Sequence, residues 1–245
     1  MEQVQRNLAV AELGVVDYRR ALRLQTALVQ ARLAGAIGDT LLLLEHPHVY
    51  TLGRAADEKF IVAPRSEVPV VRVSRGGQVT YHGPGQLVAY PILKLEGSAR
   101  DVAKYLRALE AAMIAALARC GIEARARTGL TGVWNGTREI AKIASIGVGI
   151  RRWVTYHGLA LNVCPDLSYF DSIVPCGIEG CEMTSIARLG RPDISLAQFA
   201  RILAECFCAT FEYGSVQPME ASALWAFVDP PEASGEHRIS EDRIQ

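Results

Sequence analysis

The sequence predicts an α+β fold, a single domain with a mixed, mostly antiparallel sheet and helices packed on it. Extended apolar segments follow one another without a helix between every pair, so the strict alternation of a parallel α/β sheet is missing. Long helical periodicity occurs in only three places. No internal repeat or linker divides the chain. We therefore expect one domain over residues 1–228, followed by a flexible tail over 229–245 that is rich in Pro, Glu and Ser.

The N-terminal half predicts several strands and one helix. Residues 8–13 form a short strand, and a helix begins near Asp17 and ends at Gly35. Further extended segments are predicted at Thr40–Leu44, Val49–Leu52, Val70–Ser74 and Gln86–Leu93, with a glycine-rich turn at 75–77 and a polar loop through 81–85. Pro91 favours an edge strand or a strand end, because proline has no N–H to donate to a neighbouring strand.

The longest predicted helix runs from Ser98 to Cys120. Ser98 and Asp101 form a capping pair, and Gly121 ends the helix. Its apolar stripe is formed by Val102, Tyr105, Leu106, Leu109, Met113, Ala116 and Leu117. A tight hairpin is predicted at Asn135-Gly136, with strands over 132–134 and from Thr137 onward, and another extended run covers Val154–Val163. A last helix begins at Ser195 and Gln198 and buries Phe199, Leu203 and Phe207.

Composition excludes several classes of function. The chain has 245 residues, 50% hydrophobic and 21% charged, with a formal net charge of +0. A neutral chain offers no broad electrostatic surface for nucleic acid or an anionic membrane, and no apolar run is long enough to span a bilayer. The N-terminus lacks the pattern of a secretory signal, and the six cysteines show no disulfide framework or CxxC pair. We expect a cytoplasmic monomer without a metal or cofactor.

Lys142 lies in an apolar segment of alternating pattern. Strict alternation places it on one strand face with Ile140, Ala144, Ile146 and Val148. A lysine among aliphatic side chains loses hydration, which disfavours its charged form unless a negative charge lies nearby. On spacing alone, a lysine at a sheet edge that extends its amine to water is the more common arrangement. A β-bulge could also move Lys142 to the other face.

Cys176 lies between Pro175 and Gly177. Most free cysteines are small buried hydrophobes, and any one of the six could be that. The flanking proline and glycine instead favour a defined turn that holds the sulfur at a site. If the Lys142 ammonium lies beside it, the reactive thiolate form is stabilised, as attack on an activated acyl group requires.

A glycine-rich segment at 75–86 is the densest cluster of unusual residues. The paired glycines Gly76 and Gly77 allow the backbone to approach a ligand closely, although an ordinary hairpin loop would also explain them. The phosphate-loop pattern is absent. His82 and His157 each stand between a tyrosine and a glycine. They could transfer protons in one cleft, but hydrogen-bonded core histidines are more common.

Four long motifs together resemble the octanoyltransferase family of lipoate biosynthesis, whose fold is shared with biotin and lipoate protein ligases. They are RGGQVTYHGPGQLVAYPI (75–92), GVWNGTREIAKIASIGVGI (132–150), TYHGLALNV (155–163) and VPCGI (174–178). The resemblance covers residues 10–210. It implies transfer of an octanoyl group from octanoyl-acyl carrier protein to a lysine of lipoyl domains in 2-oxoacid dehydrogenases and the glycine cleavage H protein.

The resemblance also assigns residues. It implies Cys176 as the nucleophile and Lys142 as the lysine that promotes its ionisation. The implied acyl contacts are Arg75, Gly76, Gly77, Gln78, Val79, Thr80, Tyr81, His82, Ser145, Ile146, Gly147, Gly158, Leu159 and Ala160, and we add His157 as a substrate-binding candidate. Gly149 stands where the family has an arginine, and Trp153 where it commonly has a glycine. Three alternatives remain: an ATP-dependent lipoate or biotin ligase, a thioesterase, and a non-catalytic module that binds lipoyl domains.

Overall fold

The computed structural model describes residues 6–63, 65–136, 141–178 and 180–229. Two sheets and four α-helices make up the domain that these residues form. The strands are β1 (Asn7–Val15), β2 (Thr40–Glu45), β3 (Val49–Leu52), β4 (Val70–Arg72), β5 (Val79–His82), β6 (Gln86–Ile92), β7 (Arg125–Arg127), β8 (Leu130–Asn135), β9 (Ala141–Arg151), β10 (Val154–Asn162), β11 (Glu182–Met183) and β12 (Ser215–Pro218). The helices are α1 (Tyr18–Leu33), α2 (Val102–Arg119), α3 (Leu196–Thr210) and α4 (Ala221–Trp225).

The large sheet has the strand order β12-β1-β2-β6-β10-β9-β8-β7, and β11 pairs with β9 outside this path. The strands from β2 to β7 in this order are antiparallel neighbours, whereas β1 is parallel to both β2 and β12. A second sheet of three strands has the order β4-β3-β5. The prediction of a mixed, mostly antiparallel α+β fold is confirmed.

Helices cover the two faces of the large sheet. Helix α1 is capped by Asp17, whose carboxylate accepts a hydrogen bond from Arg20 N at 2.9 Å, and it buries Leu24 and Leu28. Helices α2 and α3 pack on a separate and larger core. The capping box of Ser195 and Gln198 and the buried phenylalanines of α3 are as predicted. In the part of the chain that is described, no helix is long and apolar enough to cross a membrane.

Helix α2 begins at Val102, four residues later than the predicted start at Ser98. Ser98 belongs to a short 3₁₀ turn, and Asp101 is the cap. The Asp101 carboxylate accepts hydrogen bonds from Ala103 N and Lys104 N, two donors of the first turn that have no partner within the helix. Asp101, and not Ser98, is therefore the N-cap residue. The prediction that Val102 is buried is wrong: Val102 is 44% exposed and lines a cavity.

The segment 79–82, assigned partly to a polar loop, is strand β5, which pairs with β3. Pro91 lies near the end of β6, as one reading predicted, but β6 is a central strand and not an edge. Pro91 faces β10, because its carbonyl accepts a hydrogen bond from Thr155 Oγ1, and the ladder between β10 and β6 stops at Ala89. The proline is therefore tolerated although β6 remains paired with β2 as far as Ile92. Gly158 of β10 provides the space that Pro91 needs: a Cβ on Gly158 would lie 2.7 Å from Pro91 Cδ.

Two connections bear on other sequence expectations. Strands β8 and β9 are antiparallel neighbours, but Asn135 ends β8 and faces Ala141, and Trp134 faces Lys142, so the prediction of a tight turn at Asn135-Gly136 with a strand from Thr137 is wrong. Residues 137–140 and the tail over 230–245 lie outside the described residues. Between β9 and β10, Arg152 and Trp153 have φ angles of 48° and 64°. A two-residue turn with both angles positive matches the twist of a hairpin, which explains why glycine suits position 153.

Candidate active site

The register of β9 changes at Lys142. Val133 of β8 faces Ala144, whereas the next residue, Trp134, faces Lys142, so β9 contains one extra residue at Ile143. Such a bulge breaks the alternation of side chains. Ile143 and Ala144 both join the main core, and Lys142 lines a cavity instead. The assignment of Lys142 to the face of Ala144 by strict alternation is therefore wrong, and the alternative of a bulge is confirmed.

Cys176 occupies the turn Pro175–Gly177, which is closed by hydrogen bonds from Gly177 N to Val174 O at 2.9 Å and from Ile178 N to Pro175 O at 3.1 Å. Its φ of 58° is left-handed, and the following Gly177 has a φ of 68°. A non-glycine residue in this conformation is strained and requires support from its surroundings. The support comes from Phe60, whose carbonyl accepts a hydrogen bond from Val174 N at 2.8 Å and whose ring packs against Gly177.

The Lys142 ammonium and the Cys176 sulfur meet in this cavity. Lys142 Nζ lies 2.9 Å from Cys176 Sγ, within hydrogen-bonding distance. Lys142 is only 1% exposed, so it does not extend to water as the lysine of an ordinary sheet edge does. Its Nζ also lies 5.0 Å from the centre of the Trp134 ring, a cation–π distance. An ammonium beside a sulfur is the arrangement that favours a thiolate in reactive cysteines.

Arg75 anchors the glycine-rich loop beside the cavity. The guanidinium is buried and donates hydrogen bonds to Thr51 O at 2.7 Å, to Gly76 O at 3.0 Å and to Gln78 O at 2.8 Å. Burial lowers the pKa of Arg75 from its ordinary value, but an arginine keeps its charge in proteins. Gly147 makes room for this arrangement, because a Cβ there would lie 2.9 Å from Arg75 Cδ.

The cavity has a volume of about 450 Å³ and lies along β9 and β10. It brings together nearly all of the candidate residues: Arg75, Gly76, Gly77, Gln78, Val79, Thr80, His82, Lys142, Ser145, Ile146, Gly147, His157, Gly158, Leu159, Ala160 and Cys176. Tyr81 is the exception. It points into the small-sheet core, where it stacks on Tyr169 at 5.0 Å and contacts His48 Nδ1 through its hydroxyl at 2.7 Å.

Sequence reasoning missed part of the lining. Tyr18, Arg54, Tyr90, Val102, Leu106, Gly129, Leu130, Thr131, Val148 and Ile178 also line the cavity. Tyr18, Val102 and Leu106 belong to apolar helix stripes, and nothing in the local sequence separates a stripe residue that lines a cavity from one that fills a core. For Leu130 and Thr131 a signal was available, because Gly129 marks the turn between β7 and β8 that precedes them.

Polar aromatic side chains line the end of the cavity remote from Lys142. His157 faces Val148 across the β9–β10 ladder, six residues along β9 from Lys142, or roughly 20 Å. Burial lowers the pKa of His157 to about 3 and that of His46 to about 4, and it raises that of Tyr18 to about 12. All three side chains are therefore uncharged at neutral pH.

His46 illustrates how this polar end is held. Its Nδ1 lies 2.6 Å from Val16 O, which can only accept, so Nδ1 carries the proton. Its Nε2 then accepts a hydrogen bond from the Tyr90 hydroxyl at 2.7 Å. His82 is also neutral, because burial and the nearby His46 and Arg75 lower its pKa well below the ordinary value. A histidine with so low a pKa is a weak proton acceptor.

Comparison with known proteins identifies the family. Residues 17–208 match the model of the lipoyl protein ligase A/B catalytic domain. The octanoyltransferase of Syntrophotalea carbinolica is 50% identical over 191 residues, which cover 78% of this chain and 88% of the relative. That of Chloroflexus aggregans is 48% identical over 221 residues, covering 87% of this chain and 99% of the relative.

A solved structure shows the same fold. The bipartite lipoate protein ligase of Thermoplasma acidophilum superposes with a TM-score of 0.68 at 15% identity and covers 91% of this chain and 92% of its own. With the family match and the identities to its relatives, this places the chain in the lipoyl protein ligase A/B catalytic-domain family, among the octanoyltransferases.

Proposed function

We propose that this octanoyltransferase moves the octanoyl group from octanoyl-acyl carrier protein to a lipoyl-domain lysine through a thioester on Cys176. The observation that carries the proposal is the 2.9 Å contact between Lys142 Nζ and Cys176 Sγ at a cavity of about 450 Å³. The contact supplies an ionised nucleophile, and the cavity accommodates an acyl chain. A binding module would need neither of them.

In the first half-reaction, the Cys176 thiolate attacks the carbonyl carbon of the octanoyl thioester. The bond between that carbon and the sulfur of the carrier then breaks. The departing sulfur takes a proton from the Lys142 ammonium and leaves as a thiol, so Lys142 becomes a neutral amine. The backbone around Gly77 and Gly158 is our candidate for stabilising the oxyanion, since both glycines line the cavity.

In the second half-reaction, the neutral amine of the target lysine attacks the acyl-enzyme. Lys142, now neutral, accepts the proton that the new amide nitrogen loses, and Cys176 leaves as a thiolate. This restores the starting charges, so the cycle closes without a proton from elsewhere. His82 is the alternative acceptor, but its strongly depressed pKa makes it the weaker base.

The acceptors that we propose are the lipoyl domains of 2-oxoacid dehydrogenases and the glycine cleavage H protein. The Thermoplasma acidophilum ligase, which has the same fold, was studied together with its E2 lipoyl domain. Both half-reactions consume a thioester, so the transfer requires no ATP. The use of ATP is therefore the simplest distinction between this reaction and that of a ligase with the same fold.

The test is intact-mass and peptide mass spectrometry after incubation with octanoyl-acyl carrier protein. We expect one octanoyl adduct on Cys176, which moves to the lysine of an added lipoyl domain without ATP. Cys176→Ser should form no transferable adduct, and the control Cys181→Ser should react as the wild type does. An adduct mapped to another cysteine, full turnover by Cys176→Ser, or a requirement for ATP with free octanoate would each refute the proposal.

A further inference from the structure

Lys142 is buried, and its contact with Cys176 provides a negative charge beside it only when the sulfur is ionised. An ammonium that is 1% exposed requires a nearby negative charge to remain charged. The Cys176 thiolate provides one in the resting enzyme. Before a thiolate forms, however, the sulfur carries no charge. A second anion near Lys142 would favour the charged lysine in that state, from which the thiolate forms.

Glu110 of α2 is a buried carboxylate that the reaction does not use directly. The residue is 1% exposed, and its Oε1 accepts a hydrogen bond from Gly132 N at 2.9 Å. Arg107 Nη1 lies 2.8 Å from Oε2, at an angle that makes an ion pair but no hydrogen bond. Burial raises the pKa of Glu110, whereas the Gly132 N–H, Arg107 and Lys142 act to lower it.

Gly132 lies between the two buried charges. Its N–H binds Glu110, and its open side contacts Lys142: a Cβ on Gly132 would lie 2.6 Å from Lys142 Cε and 3.2 Å from Nζ. Its φ of 121° is a conformation that residues with side chains rarely adopt. Glu110 therefore fixes the piece of backbone against which the Lys142 side chain rests.

We infer that Glu110 is a positioning residue for acyl transfer, acting as the buried counter-charge of Lys142 and as the anchor of Gly132. This inference rests on the proposed roles of Cys176 and Lys142. Glu110 does not touch the reacting atoms. It favours the charged form of Lys142 in the resting enzyme, before acyl transfer begins, and it orients the side chain for its contact with Cys176.

The test is the pH dependence of Cys176 alkylation by iodoacetamide in Glu110→Gln, followed by peptide mass spectrometry. Glutamine keeps the shape and the acceptor for Gly132 N but removes the charge. We expect the midpoint of the alkylation profile to rise by about one pH unit, with slower alkylation at pH 7. We also expect kcat to fall by about tenfold with less change in KM, since the charge acts on the reaction and not on binding.

Two further variants show whether the effect is specific to Glu110 and whether it acts through Lys142. Glu205→Gln also removes a carboxylate paired with an arginine, here Arg119 at 2.6 Å, and should leave the alkylation profile unchanged. In a Lys142→Met background, Glu110→Gln should have no additional effect on alkylation, because the residue that it acts through is gone.

An unchanged profile in Glu110→Gln, or an equal slowing with and without Lys142, would overturn the inference. Iodoacetamide requires neither carrier protein nor acyl group. A failure of the proposed acyl transfer is therefore distinguishable from a failure of the role of Glu110.

Discussion

Lys142 Nζ and Cys176 Sγ lie 2.9 Å apart although 34 positions separate them in the chain. Each is brought there by a local irregularity: Lys142 by the extra residue in β9, and Cys176 by a left-handed turn. Neither irregularity benefits the sheet or the turn on its own, since a bulge interrupts the ladder and a positive φ strains a cysteine. Together, the bulge and the left-handed turn bring the Lys142 ammonium to the Cys176 sulfur.

Replacing the lysine should slow the reaction of the thiol. We expect Lys142→Met, which keeps most of the side-chain length, to slow alkylation of Cys176 at pH 7 by about tenfold or more, because less of the sulfur is ionised. Stopped-flow alkylation with peptide mapping measures this rate. The control is Lys104→Met on the exposed face of α2, which should react at the wild-type rate. A wild-type rate in Lys142→Met would show that the lysine has another role.

A methyl group at Gly147 should damage the cavity wall. In Gly147→Ala the Cβ would lie 2.9 Å from Arg75 Cδ and 3.0 Å from Gly76 O, so the anchored loop must shift. Overpacking of this kind costs about 1–3 kcal/mol. We also expect kcat/KM to fall by about tenfold or more, because displaced positioning groups are costly to a reaction.

The matched control for Gly147→Ala is Gly38→Ala, whose Cβ would meet no atom within 4 Å. Chemical denaturation and steady-state kinetics on both variants provide the comparison. If Gly147→Ala retained wild-type stability and turnover, the contact between the glycine-rich loop and β9 would not be required for the site.

Regular elements could be predicted from the sequence, and irregular ones could not. The spacing of apolar residues located α1 and α3 correctly, because each helix buries one continuous stripe. Lys142 was harder. Its apolar neighbours suggested a lysine extended to water, and only the pairing with β8 reveals the bulge that buries it. Register depends on the partner strand, so a single strand does not contain that information.

Glu110 shows a second limit of local patterns. It stands between Leu109 and Met113 at helical spacing, on the face that packs inward, yet one carboxylate within an apolar stripe carries no sign of its partners. Its hydrogen bond to Gly132 crosses from α2 to β8. The motif at 132–150 contains both Gly132 and Lys142, but it does not contain Glu110. Only the structure shows that Glu110, Gly132 and Lys142 lie next to one another.

Acyl chain length should affect turnover in a graded way. Each methylene buried in the cavity contributes about 0.8 kcal/mol, which corresponds to roughly a fourfold change in kcat/KM. We therefore expect hexanoyl-acyl carrier protein to react about fifteenfold less efficiently than the octanoyl form. Tyr18, Tyr90 and His157 make the remote end of the cavity polar, so we expect the gain per methylene to stop for a chain that reaches that end.

A series of acyl carrier proteins loaded with six-, eight-, ten- and twelve-carbon chains tests this expectation in one assay. The relevant quantity is kcat/KM for transfer to a lipoyl domain. Loss of the gain at ten or twelve carbons would mark the chain length at which the acyl group reaches the polar end. Equal efficiency for all four substrates would mean that the acyl group is bound outside the cavity.

The buried histidines should make the fold sensitive to mild acid. The pKa of His46 is about 4 and that of His157 about 3, whereas an unfolded histidine titrates near 6.5. Below pH 6.5 these histidines therefore bind protons in the unfolded chain but not in the folded chain. The free energy of unfolding falls as pH falls. The loss should reach about 1.4 kcal/mol per pH unit for each histidine and should end for His46 near pH 4.

The slope of the unfolding free energy between pH 6 and 4.5 is the quantity to measure, by urea denaturation at several pH values. His46→Gln removes one titrating group and should reduce the slope by about 1.4 kcal/mol per pH unit. The variant also loses hydrogen bonds to Val16 and Tyr90, so its stability at neutral pH should fall as well. The loss of these hydrogen bonds does not depend on pH in this range. The slope therefore reports only the protonation of His46. A slope equal to that of the wild type would mean that His46 is protonated in the folded protein, which would also invert the hydrogen bond that it shares with Tyr90.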